Sequence, residues 1–457
     1  MTNDPTILNL PVDVKYVRLY YPCTSNIPRA KLFTRAQFQS RIVFKGQGFT
    51  SATLSMPFLY DANFSSLPME ELQLIPDMRT LRMLPHAHGH AVVLGRFVRQ
   101  DGTPAALDPR GFLERAVERL ESEFGVRVRA GFESEVVLLK EAAEVGVVRP
   151  VGGSSVDEGA RRVLVPVDAC VYADMNALNN GDTVAVLEGI VNSLEAMDIE
   201  VQQFHPESAT GQFEIVTGYK DVLEAVDDLV HTRVVVRGVA ATKGYVATLA
   251  PKVFPMQAGS ASHVHLSIWD KLGLQNLFPA QGKEHGISDL GRYFMAGILH
   301  HLPALQALTT PTPMSHARTQ PGCWSGAYQC WGVENKESAL RLVHDASRFE
   351  FKTLDATANP YLALGAILYA GMDGIRKQLA LPAPINVDPM TLSGEKAPKR
   401  LASTVGEALD LLKADAVLRE AMGTKLMDNF VEVKEKESIS VAGMDAEVVR
   451  RIMVERY

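Results

Sequence analysis

The sequence predicts an α+β fold, on three observations. Helical and strand patterns alternate along residues 105–457, and residues 1–104 read as short strands separated by turns. In addition, three strand-length stretches set ionisable side chains on one face and mostly apolar ones on the other. Gly131-Phe132-Glu133-Ser134-Glu135-Val136 places Glu133 and Glu135 together, because strand side chains alternate with period two. Ser262-His263-Val264-His265-Leu266-Ser267 does the same with His263 and His265, and Arg348-Phe349-Glu350-Phe351-Lys352 sets Arg348, Glu350 and Lys352 opposite two phenylalanines. Three such stretches imply a sheet whose inner face binds cations and an anionic ligand.

Each element has its own signal. Val12 to Tyr21 alternates as a strand does, and the mostly apolar run Ala91 to Val98 has strand length. Between them, Phe49 to Pro68 has the scattered Ser, Pro and Asn of a long functional loop. A boundary falls near Asp101-Gly102-Thr103-Pro104, giving domains 1–104 and 105–457. Asp108 and Pro109 supply an N-cap and first-turn proline for a helix to about Phe124, whose stripe is Leu113, Ala116, Val117, Leu120 and Phe124. A helix over Asp182–Met197 leads into a hairpin of Ile199–Phe204 and Gln212–Ile215, in which Phe213 and Ile215 share a face and Glu214 points opposite. A long helix, Tyr219 to about Lys243, precedes the His263 strand, and Pro382–Lys399 reads as a surface loop.

Composition narrows the function. A hydrophobic fraction of 46% and a charged fraction of 22% are ordinary for a globular protein. A net charge of −7 without a Lys/Arg run argues against nucleic acid. The lack of a long apolar run argues against a membrane span, and the N-terminus does not resemble a signal peptide, so a cytoplasmic location is expected. The four cysteines are too few for a disulfide framework, and Cys323 and Cys330 read as buried small hydrophobes.

Glu133, Glu135, Glu207, Glu214, Glu350 and His263 form the expected ligand set. Five ionised carboxylates on adjacent strands repel one another unless cations neutralise them. Hard oxygen donors with one imidazole suit two Mg²⁺ or Mn²⁺ ions better than Zn²⁺. Arg318, Arg341, Arg348 and His265 beside them suit a nucleoside triphosphate and its transferring phosphoryl group.

These stretches resemble the motifs of glutamine synthetases. Gly131-Phe132-Glu133-Ser134-Glu135 is similar to that family's Gly-x-Glu-x-Glu strand. His205-Pro206-Glu207 through Gly211-Gln212-Phe213-Glu214 is similar to its His-Glu…Gly-Gln-x-Glu hairpin, and Gly259-Ser260-Ala261-Ser262-His263-Val264-His265 to its Gly-Ser-Gly-x-His-x-His signature. Arg348-Phe349-Glu350 followed by Asp355-Ala356-Thr357-Ala358-Asn359-Pro360 resembles a further block. The likeness runs in order from about Val14 to Tyr457.

The resemblance implies an N-terminal β-grasp domain, residues 1–104, and a catalytic domain, residues 105–457, with a half-barrel antiparallel sheet and flanking helices. It implies homo-oligomeric stacked rings with sites between subunits, and a ligase that uses ATP to activate glutamate as γ-glutamyl phosphate before an amine attacks. By the family pattern, Glu135, Glu207 and Glu214 hold one metal, and Glu133, His263 and Glu350 the second. His265, Arg341 and Arg348 then contact phosphate, and Ser267 sits near the adenine. Gly259 meets the amino group of glutamate and Arg318 its carboxylate.

The departures cluster around the acceptor. Ala258 replaces an asparagine, and Lys336 and Lys352 stand where most members have arginine, which keeps charge but loses the bidentate fork. Thr50 and Trp324 replace the two anions around ammonium, leaving Glu71 as a substitute anion. Arg318, Arg341, Lys336 and Glu71 are thus the candidate catalytic groups, with Gly259, Lys352 and Trp324 on the substrate. An indole offers a flat, cation-attracting wall, so a larger amine is the expected acceptor beside ammonium. The stretch Trp324-Ser325-Gly326-Ala327-Tyr328-Gln329-Cys330-Trp331-Gly332 resembles nodulin-type and fungal glutamine-synthetase-like proteins. The competing expectation is an oligomeric protein that keeps the fold and has lost catalysis.

Overall fold

The computed structural model describes residues 10–143 and 162–457. The first six strands are β1 (Tyr16–Pro22), β2 (Pro28–Thr34), β3 (Gln47–Thr50), β4 (Glu71–Pro76), β5 (Arg82–Met83) and β6 (His90–Val98). They form one sheet in the order β2-β1-β6-β4-β3, with β5 on β6. The β1–β6 pair is parallel and the others are antiparallel. Strand β1 starts later than its alternation predicts, because the Val14 N–H closes a turn onto the Pro11 carbonyl at 3.0 Å. One face buries Leu19, Leu74, Val93 and Phe97 around Phe38. The other sends Tyr20, Val92 and Leu94 into the larger core.

The helix Pro109–Phe124 begins as expected, with the Asp108 side chain accepting from the Arg110 N–H and Pro109 in the first turn. Left-handed Gly125 ends it (φ 66°), and the chain enters β7 (Val126–Ala143), the spine of a second sheet.

That sheet adds β8 (Arg162–Pro166), β9 (Val201–Pro206), β10 (Gln212–Thr217), β11 (Lys220–Asp221), β12 (Val246–Thr248), β13 (Ser262–Asp270), β14 (Tyr328–Val333), β15 (Ser338–Leu342) and β16 (Phe349–Phe351). Its order is β14-β15-β16-β13-β7-β10-β9, with β8, β11 and β12 also on β7. The sheet is a half-barrel, mixed rather than wholly antiparallel as expected, because β14 and β15 run parallel. Their connection is only Glu334–Glu337, and Glu334 turns the chain back through a left-handed φ of 52°.

Phe132, Phe213, Ile215, Val264, Leu266, Phe349 and Phe351 are all buried on the outer, helix-covered face. The helices Gly181–Glu195, Val222–Thr242, Asp289–Thr309 and Pro360–Lys377 belong to this core. The third helix predicted from sequence starts at Val222 and not at Tyr219, since Lys220 and Asp221 pair with Ala130 and Arg129 of β7. Pro382–Lys399 is an irregular stretch with two short 3₁₀ turns, after which the chain ends in helices Val405–Ala414, Ala416–Ala442 and Ala446–Arg456.

Candidate active site

The inner face of the half-barrel gathers the ionisable side chains by strand register. Across the ladders, Glu133 stands opposite His263, Glu135 opposite Glu214, His265 opposite Glu350, and Glu350 opposite Arg341. Period-two alternation then puts carboxylates, imidazoles and guanidinium in one row across adjacent strands.

The contacts are close. His263 Nδ1 lies 3.4 Å from Glu133 Oε2, 3.3 Å from Glu350 Oε1 and 3.9 Å from Glu135 Oε1. His265 Nε2 is 2.9 Å from Glu133 Oε1, and the Arg348 Nε–H donates to His265 Nδ1 at 3.2 Å. Glu350, 1% exposed, is flanked by Lys352 Nζ at 3.1 Å and Arg341 Nη1 at 3.0 Å. Gln212 holds Glu135 and the Gly259 loop together, because its Nε2 donates to Glu135 Oε2 (2.9 Å), the Gly259 carbonyl (3.0 Å) and Ser260 Oγ (2.9 Å). The Ala261 N–H also donates to Glu135 Oε2, at 3.0 Å. Glu207 accepts from the Ser208 N–H at 2.8 Å.

Burial and mutual repulsion push Glu214 well above the usual carboxylate range, with Glu133, Glu135, Glu207 and Glu350 as the like charges. Burial and Glu207 push Glu135 up to about 7. Burial acts the same way on Glu133, but hydrogen bonds from His263 and His265 outweigh it and hold that carboxylate low. On Glu350 the charges of Lys352 and His263 likewise outweigh burial. Burial, then Lys352, lowers His263 and favours its neutral, ligating form, and its Nε2 is buried without a partner.

The donor set therefore fits hard divalent cations. Atoms of Glu133, Glu214 and His263 lie within 4.8 Å of one another, as do those of Glu133, His265 and Glu350. His263 also lies beside Glu350 and Glu135, so the two groups share neighbours across the row.

Two cavities meet at Glu133. One, of about 250 Å³, is lined by Glu133, Glu135, Glu207, Glu214, His263 and Glu350, and by Gly259, Arg318, Lys336, Arg341, Lys352 and Trp324. The other, of about 420 Å³, is lined by Glu133, His265, Ser267, Trp269, Asn276 and Arg348. In the second, the Trp269 Nε1–H donates to Ser267 Oγ at 2.9 Å, and the Arg129 guanidinium lies 4.2 Å over the Trp269 ring. The sequence-predicted site residues thus line one cavity or the other, with one exception. Glu71 opens β4 opposite Thr50 in the first sheet and lines neither. The first cavity also includes Tyr172, Gln203 and His205, which sequence reasoning gave no role. His205 Nε2 is 3.2 Å from Glu214, and its place beside Pro206-Glu207 was the one available signal.

Residues 106–452 match the family model of the glutamine synthetase catalytic domain. This chain belongs to the glutamine synthetase family. Type-1 glutamine synthetase 1 of Dictyostelium discoideum is 35% identical over 383 residues, 80% of this chain and 74% of that protein. Gamma-glutamylpolyamine synthetase GlnA3 of Streptomyces coelicolor is 33% identical over 443 residues, 94% and 91% of the two chains. The crystal structure of a novel glutamine synthase homologue superposes with a TM-score of 0.82 at 28% identity, covering 98% of this chain and 100% of that one. A GmaS complex with ADP gives a TM-score of 0.80 at 25% identity, covering 97% of each chain.

In this glutamine synthetase family member, the smaller cavity is bordered by the loop that carries Trp324. Trp324 is 59% exposed there, and Lys336 Nζ sits 5.7 Å from its ring centroid. Cys323 is exposed beside it, contrary to the buried reading, in the irregular loop after left-handed Gly322 (φ 73°), while Cys330 is buried in β14 as expected. Arg318 is buried, and its Nη2–H donates to the carbonyls of Lys352 (3.4 Å) and Leu354 (3.3 Å). Among the described residues, no helix is long and apolar enough to cross a membrane.

Proposed function

We propose that this protein is an ATP- and Mg²⁺-dependent carboxylate–amine ligase, which activates glutamate as γ-glutamyl phosphate and couples it to an amine, with primary amines larger than ammonium preferred. The observation that carries the reading is the pairing of a complete carboxylate–histidine row with an exposed Trp324 at the acceptor mouth. Residues 1–104 are taken as the N-terminal β-grasp domain and 105–457 as the catalytic domain. Stacked rings with sites between subunits are the proposed assembly, in which Glu71 is placed to serve a neighbouring site.

Glu133, Glu135, Glu207, Glu214, His263 and Glu350 would hold divalent cations, which supply charge neutralisation for a triphosphate when bound. ATP suits the larger cavity, with the base near Ser267 and Trp269 and the phosphates toward His265, Arg348 and Arg341. Glutamate suits the smaller one, where Arg318 offers a buried cation to a carboxylate and the Gly259 carbonyl faces an ammonium group. The Gly259 site leaves no room for a side chain, since a Cβ there would lie 2.4 Å from Arg318 Cγ and 2.6 Å from the Pro251 carbonyl oxygen. Transfer of the γ-phosphoryl group of ATP to the γ-carboxylate of glutamate makes an acyl phosphate and releases ADP, and the amine then displaces phosphate from that carbonyl.

The similarity to the gamma-glutamylpolyamine synthetase GlnA3 of Streptomyces coelicolor supports amine chemistry beyond ammonium, while the similarity to glutamine synthetases keeps ammonium as the alternative acceptor. The deciding experiment follows phosphate release from ATP with Mg²⁺ and glutamate, comparing ammonium with primary amines and polyamines. Faster turnover with a larger amine is expected. Release with ammonium alone would return the protein to ordinary glutamine synthesis, and silence across the panel with ATP still bound would favour a retired enzyme.

A further inference from the structure

Trp324 has a left-handed backbone, with φ of 52°, between Gly322 (φ 73°) and Gly326 (φ 71°). Glycine takes that conformation freely, whereas a bulky residue does so only when its surroundings enforce it. The enforcing contact comes from Glu337, whose Oε1 accepts the Trp324 N–H at 3.0 Å. Glu337 is itself 8% exposed, and its backbone is fixed by the Asn335 side chain, whose Oδ1 accepts the Glu337 N–H at 3.0 Å. The adjacent Lys336 covers the indole face, so consecutive residues grip the backbone and the ring of one side chain. Tyr172, 57% exposed and edge-on to His205 at 5.8 Å, is a second aromatic ring lining the same cavity.

We propose that Glu337 is a positioning residue for the acceptor: by anchoring the strained Trp324 backbone it holds the indole over the cavity mouth, and so sets the preference for amines with an apolar body. This rests on the ligase reading above. Glu337 does not line the cavity and acts through Trp324. The contact is a hydrogen bond to a carboxylate that is itself buried, so its loss should be felt strongly.

The test compares Glu337→Ala, Glu337→Asp and Glu337→Gln with the unmodified protein. Phosphate release is measured while the preferred primary amine, then ATP, then glutamate is varied. Glu337→Ala should raise KM for the amine about tenfold and leave KM for ATP and glutamate within about twofold. Glu337→Asp, too short to reach the N–H, should behave similarly and serves if the alanine variant folds poorly. Glu337→Gln retains an accepting oxygen and should stay within about threefold of the unmodified protein. Hydrogen–deuterium exchange over Gly322–Gly326 supplies a readout independent of turnover, accelerated about tenfold in Glu337→Ala and Glu337→Asp and unchanged in Glu337→Gln. Equal rises in all three KM values, or unchanged exchange in the Ala and Asp variants, would overturn the proposal. If the unmodified protein turns over no amine, the ligase reading fails, and exchange still decides whether Glu337 holds Trp324.

Discussion

Glu133 and His263 were legible as site residues because strand periodicity fixes which way a side chain points, and their motifs name them. Their pairing was not, since it depends on the register between β7 and β13, which sequence alternation leaves open. Gln212 shows the same limit: it sits inside a quoted motif, yet its role in tying Glu135 to the Gly259 loop exists only once β7, β10 and that loop meet. Trp324 was singled out as a departure, and its exposure makes it testable. Trp324→Glu restores an anion at the cavity mouth and should raise kcat/KM for ammonium roughly tenfold, equivalent to about 1.4 kcal/mol of charge attraction, while lowering that for bulky amines. Steady-state rates with both acceptors check this, and unchanged preference would reduce Trp324 to a loop residue.

At the scale of elements, the helix Pro109–Phe124 followed from pattern with Asp108 as its cap, whereas the helix Pro360–Lys377, capped by Asn359, had not been singled out. Close approach between helices was hidden. Helices Asp289–Thr309 and Pro360–Lys377 touch backbone to backbone, so that a Cβ on Gly297 would lie 2.2 Å from the Ala370 carbonyl oxygen and 2.7 Å from Gly374 Cα. Gly297→Ala should cost about 1–3 kcal/mol in denaturant unfolding. Gly406→Ala, where a Cβ meets nothing within 4 Å, is the control and should be neutral or mildly stabilising.

The same helix pair carries a buried ionic contact, with His301 Nε2 3.1 Å from Asp373 and its Nδ1 2.5 Å from Asp415. Lys377, 2.9 Å from Asp373, and Arg376, 3.9 Å away, are the other charges on Asp373, and His300 packs edge-on to the His301 ring. Burial alone lowers His301, but the hydrogen bonds and charges of Asp415 and Asp373 outweigh it and leave the imidazole raised. Burial raises both aspartates, and their partners, His301 foremost for Asp415 and Lys377 then His301 for Asp373, outweigh that and leave them lowered. A raised histidine stabilises fully below its unfolded value and loses the contribution as pH rises through its folded value. A lowered aspartate stabilises above its unfolded value and loses the contribution as pH falls through its folded value. The cost of His301→Asn should therefore peak between about pH 4 and 6.5 and shrink toward pH 9, read as denaturation midpoints across that range.

For the whole molecule, the acidic row is a stability problem as well as a site. Cations that neutralise it bind the native state alone and should raise Tm, by about 2.7 kcal/mol of stability at a hundredfold excess over Kd. Thermal melts with Mg²⁺ and with a chelator check this. Glu350→Gln should blunt the Mg²⁺ shift, and an equal shift in that variant would place the ions elsewhere.

Alternation, caps and motif order in the sequence determined the α+β class, the family and the charged side chains that line the two cavities, because these are local properties of the chain. Tertiary structure decided what depends on distant segments meeting. The two sheets are joined through Arg110, which pairs with Asp77 at 2.9 Å and Asp227 at 2.8 Å, and through the Tyr20 hydroxyl, 2.7 Å from His231. Asn359 donates to the Cys23 carbonyl at 2.9 Å, and Tyr457 to that of Ser25 at 2.7 Å, fastening the end of the chain to its beginning. Contacts across such separations have no local sequence signature, since each partner sees only its own neighbours until folding brings the other to it.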